Sequence, residues 1–138
     1  MNSPELSISV GELIGIPKVT LRGSMDGWHD QAISGVLMSF RDQGTSSLVL
    51  DIVGLAFTGV DGASAMIRVL RSLGSQICVH VLTSGAPADI LNRAELGLCI
   101  RLYSTTDDIA NHLISGEEYF TSRWTASGID DIEQPLAA

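Results

Sequence analysis

Val49-Leu50-Asp51-Ile52-Val53-Gly54-Leu55-Ala56-Phe57-Thr58-Gly59-Val60-Asp61-Gly62-Ala63-Ser64 changes its periodicity midway. It opens in the most hydrophobic strand candidate of the chain, residues 47–53, a nearly continuous apolar run. Such a run suits a strand buried on both faces, and so a central one. The glycines at 54, 59 and 62 then mark a loop. After the loop, Met66, Ile67, Leu70 and Leu73 recur at helical spacing, Arg68 and Arg71 fall on other faces, and Gly74 supplies the stop.

The same strand–loop–helix unit is legible on both sides. Upstream, residues 5–10 and 18–22 alternate polar and apolar, with a turn expected over 11–17, and read as a hairpin near a sheet edge. Asp26 then offers an N-cap to a helix whose apolar face carries Trp28, Ile33, Val36, Leu37 and Phe40 and which stops at Gly44. Downstream, residues 77–82 read as a buried strand, followed by a turn over 83–87 and a helix with Ile90, Leu91 and Ala94. Residues 99–103 read as a last strand, and Ser104, Thr105 and Thr106 cap a short helix with Ile109 and Leu113 on one side. The order β-β-α-β-α-β-α-β-α predicts an α/β fold, a mixed and largely parallel sheet covered by helices.

Composition narrows the function. The chain has 138 residues, 45% of them hydrophobic and 17% charged, which suits one domain with a core that needs no metal or disulfide. The net charge of −8 is uneven: residues 1–105 carry −2 and residues 106–138 carry −6. Lys18 is the single lysine, and the arginines are scattered. With no basic stripe, nucleic-acid binding is not expected, and an acidic tail opposes an anionic membrane surface. No apolar run is long enough to span a bilayer and no signal peptide is read, so a cytoplasmic location is expected. The domain is placed at residues 1–114, with residues 115–138 as an acidic, partly disordered extension.

Catalytic patterns are missing. No nucleophile elbow, HExxH or lysine-ending phosphate loop occurs, and the 54–62 glycines lack dinucleotide-site spacing. Cys78 and Cys99 match no zinc spacing and are expected as buried thiols, while His29, His80 and His112 stand apart. No cofactor, metal or catalytic residue is assigned.

The stretch 49–64 resembles the signature of the STAS domain family, which includes bacterial anti-sigma factor antagonists. That signature is a strand ending in Leu-Asp, a small-residue loop with an apolar residue, then Asp-Ser/Thr-Ser/Thr-Gly opening a helix. Leu21-Arg22-Gly23-Ser24-Met25-Asp26 resembles the family's approach to its first helix, and Leu96 to Tyr103 followed by Thr106-Asp107-Asp108-Ile109-Ala110 its last strand and helix. The resemblance implies a non-catalytic interaction module that binds a kinase-type anti-sigma factor (a serine-protein kinase) or other STAS proteins, with a homodimer left open. It also implies a phosphorylation switch at the head of the second helix.

The decisive position departs from that pattern. Placing Gly62 on the signature glycine puts Gly59 on the aspartate, Val60 on the first hydroxyl residue and Asp61 on the phospho-acceptor. Asp61 has three readings: an N-cap of the second helix, a permanent stand-in for phosphoserine, or a group the partner recognises directly. Ser64, expected in the first helical turn, and Thr58 in the loop are alternative acceptors. The expected docking surface comprises Asp26, Thr58, Gly59, Val60, Asp61, Gly62, Ser64, Arg68 and Arg71. The alternative function is a regulatory subunit of a transport system or a small-ligand domain for a nucleotide or lipid, placed beyond the strand ends.

Overall fold

The computed structural model describes residues 6–121. The chain divides after Thr105 into two compact units. The first is a six-stranded sheet with three helices. Its elements are β1 (Ser7–Leu13), β2 (Ile16–Met25), a 3-10 turn (Gly27–His29), α1 (Asp30–Asp42), β3 (Ser47–Asp51), β4 (Leu55–Phe57), α2 (Gly59–Gly74), β5 (Cys78–Leu82), α3 (Gly85–Arg93) and β6 (Ile100–Tyr103). The second unit is described through α4 (Thr106–Thr121), which is longer than the short helix expected. On α4, Ile109 is buried and Leu113 half-buried, as their spacing predicts. The expected 115–138 extension begins inside α4, and the disorder expected beyond about Gly128 lies outside the described residues.

The strand order is β1-β2-β3-β5-β6, with β4 pairing β2. Only β1 runs antiparallel to its neighbour; the other pairings are parallel. The mixed, largely parallel sheet and the edge hairpin agree with the sequence reading, and the hydrophobic strand β3 is the middle one. Because each crossover steps the same way along the sheet, the right-handed rule places α1, α2 and α3 on one face. Helix–helix contacts between α1 and α2 and between α2 and α3 agree. The core between them joins Val19 and Leu21 of β2, Leu48 and Leu50 of β3, and Val79 and Val81 of β5 to Ile33, Leu37, Met66, Leu70, Leu73 and Leu91 of the helices.

The structure corrects four expectations. The hairpin turn is not residues 11–17 but Ile14–Gly15, both at positive φ, because Gly11 and Pro17 sit within paired strands. Trp28 is not on the apolar face of the first helix. It lies in the 3-10 turn and is 72% exposed, while His29 beside it is buried. Neither cysteine is buried: Cys99 is exposed and Cys78 is half-buried. Desolvation by that partial burial, followed by a hydrogen bond with Cys99, raises the Cys78 pKa above the ordinary cysteine value.

The fourth concerns β4, which positions the site. Between Thr20 and Gly23 on β2 lie two residues, yet between their partners Asp51 and Leu55 lie three. The extra residue is a bulge that bends the chain and lets β4 resume pairing farther along β2. Asp51 steadies the bend: its carboxylate accepts the Val53 N–H at 3.1 Å and faces Lys18 Nζ at 3.7 Å.

Candidate functional site

The site forms where β2 and β4 end side by side. The Thr58 N–H donates to the Met25 carbonyl at 2.9 Å, tying the start of α2 to the end of β2. Gly62 sets how close the two come, since a Cβ there would run into the Met25 carbonyl oxygen. Gly27 sets the second approach, because a Cβ on it would lie 3.0 Å from the Asp61 Cβ. Two glycines thus bring the turn after β2 against the first turn of α2.

Between them lies an open cleft of about 620 Å³ lined by Asp26, Gly27, Trp28, Thr58, Asp61 and Arg68. Asp26 caps the 3-10 turn, and its backbone N–H donates to His29 Nδ1 at 2.8 Å. That bond requires an unprotonated Nδ1, which fixes the ring. The Trp28 indole leans on the His29 ring, with centroids 3.8 Å apart and an interplanar angle of 36°. Arg68, on α2, is paired with Asp30 of α1 at 3.2 Å. Among the described residues, no cation pairs with Asp26, and no hydrogen bond or ion pair engages the Asp61 carboxylate.

Asp61 is therefore not the N-cap. Thr58 holds that position, in extended backbone, and Gly59 opens the helix at φ +64°. Asp61 is third in the first turn, exposed, where a carboxylate gains about 0.3–1 kcal/mol from the helix dipole. The signal was present in the sequence: Thr58-x-x-Asp61 has the spacing of a helix-opening box. With the start moved upstream, Gly62 lies within α2 rather than in the loop. Ser64 falls in the second turn and is half-buried, while Thr58 is exposed.

Of the residues expected on the docking surface, the cleft gathers Asp26, Thr58, Asp61 and Arg68. Gly59 and Val60 adjoin them at the exposed head of α2, with Val60 80% exposed. Gly62 is buried and serves packing. Arg71 points elsewhere, donating from Nε to the Glu95 carbonyl at 2.7 Å. Trp28 and Gly27 are the cleft residues that the sequence reading left out of the site.

No protein-family model and no curated protein sequence matches the chain. The fold does match solved structures. An anti-sigma factor antagonist from Mycobacterium paratuberculosis superposes with a TM-score of 0.64 at 21% identity, over 80% of this chain and 95% of that one. The anti-sigma factor antagonist SpoIIAA in its unphosphorylated form gives 0.56 at 14% identity, over 80% and 99%. The Bacillus cell fate determinant SpoIIAA in its phosphorylated form gives 0.52 at 15%, over 77% and 99%. The chain has the STAS-like fold of these antagonists. No helix among the described residues is long and apolar enough to cross a membrane.

Proposed function

We propose that this chain is a non-catalytic docking module of the antagonist type, binding a kinase-type anti-sigma factor or another STAS protein through the cleft at the head of α2. The observation that carries the reading is the exposed Asp61 carboxylate, which no hydrogen bond or ion pair engages among the described residues, in the first turn of a helix that the fold holds against the end of β2. Where a phosphorylatable residue would place nearly two negative charges only after modification, Asp61 holds one permanently. A carboxylate offers a protein kinase no hydroxyl, so docking here is not gated by phosphate at this position. The two carboxylates on the wall disfavour an anionic nucleotide as occupant.

The test uses purified kinase-type anti-sigma factors from the organism that encodes the chain. Calorimetric titration is expected to give binding to wild type and at least a tenfold loss with Asp61→Arg, which reverses the local charge. With kinase and ATP, intact mass is expected to show no phosphate on wild type and one on Asp61→Ser. Equal affinity of wild type and Asp61→Arg would contradict docking at this cleft. Phosphate on wild type at Thr58 or Ser64 would contradict the ungated reading.

A further inference from the structure

Trp28 is a large aromatic side chain that the fold leaves in water with one neighbouring ring against it. It is 72% exposed, yet one side of its indole is braced by His29, whose own ring is anchored by the Asp26 N–H. An exposed tryptophan is the usual make-up of a binding hot spot. The charge around it is one-sided. Asp26 and Asp61 share the cleft with Trp28, and the one cation on its wall, Arg68, is already neutralised by Asp30. A cation inserted there meets two carboxylates on the wall.

From this we infer that the cleft receives an arginine side chain from a protein partner, stacked on Trp28 and bonded to Asp61 and Asp26. Arginine fits better than lysine because its planar guanidinium stacks on an indole face while its edge donates to carboxylates. This rests on the proposed reading of this end as the docking end, and it adds the chemistry of what docks there.

The probe is a random peptide library displayed on phage and panned against the full chain, and the affinities of enriched peptides are read by calorimetric titration. Enriched peptides are expected to share an arginine beside aliphatic residues. Their affinity should fall about tenfold or more with Trp28→Ala and with Asp61→Asn, and stay unchanged with Arg71→Ala. Replacing the peptide's arginine with citrulline, which keeps the shape and removes the charge, should weaken binding to the same degree, and lysine should rescue only part. Unchanged urea midpoints confirm that the variants are folded.

Enrichment of neutral or acidic peptides, no enrichment, or indifference to Trp28→Ala would overturn the inference. The two claims separate cleanly. If the anti-sigma factor loses affinity with Asp61→Arg but not with Trp28→Ala, the arginine site is wrong and the proposed function stands. If arginine peptides behave as expected while no anti-sigma factor binds, the proposed function is wrong and the site stands.

Discussion

Ile14 and Gly15 close the β1–β2 hairpin with both backbones left-handed, at φ +53° and +77°. A two-residue loop of that kind favours Asn-Gly, and a β-branched side chain there costs about 1–2 kcal/mol. Ile14→Asn is expected to stabilise the protein by about 1 kcal/mol, read as a higher urea midpoint at unchanged slope. A midpoint that stays put or falls would contradict the strain. Trp28 carries the opposite lesson. Its apolar character suggested a helix face, but a 3-10 turn advances about 120° per residue rather than 100° and ends before α1 begins. That change of pitch turns His29 inward and Trp28 outward, and hydropathy alone carries no sign of it. Thr58 and Asp61 were legible in principle, because their spacing marks a helix start three residues earlier than the glycine pattern suggests.

The elements that were legible are those whose pattern is long. Leu48, Val49 and Leu50 are buried at the centre of the sheet, and Met66, Leu70 and Leu73 form the buried face of α2, as their periods required. Strand β4 was not legible. Leu55, Ala56 and Phe57 are too few to show a period, and what makes them a strand is the bulge that returns them to β2. The site depends on that short strand, since it delivers Thr58 to the Met25 carbonyl. Gly62 is the closest point of this junction. Gly62→Ala is expected to destabilise the fold by about 2–3 kcal/mol, as overpacking against a backbone atom does. Urea unfolding measures it. A loss below about 0.5 kcal/mol, the size of an ordinary surface substitution, would show that α2 does not need this close approach.

On the scale of the whole molecule, the parallel strands aim their C-terminal ends, and the helices after them, at one region. The turn following β2 and the head of α2 meet there, and an exposed indole, two carboxylates and an arginine paired with Asp30 share one cleft. The fold class was legible because alternating strands and helices admit few arrangements. Of the cleft's lining, Asp26, Thr58, Asp61 and Arg68 were legible through the family resemblance, whereas Gly27 and Trp28 were not, since the close approaches at Gly27 and Gly62 are encoded by no local pattern.

What all of this requires is that a binding protein cover the head of α2. Amide chemical-shift mapping of the isotope-labelled full chain against the kinase-type anti-sigma factor proposed as its partner reads that directly. The account predicts that the largest changes fall on residues 26–28, 58–61 and 68. A footprint on the β1 edge or around Leu98, with those amides unmoved, would contradict it.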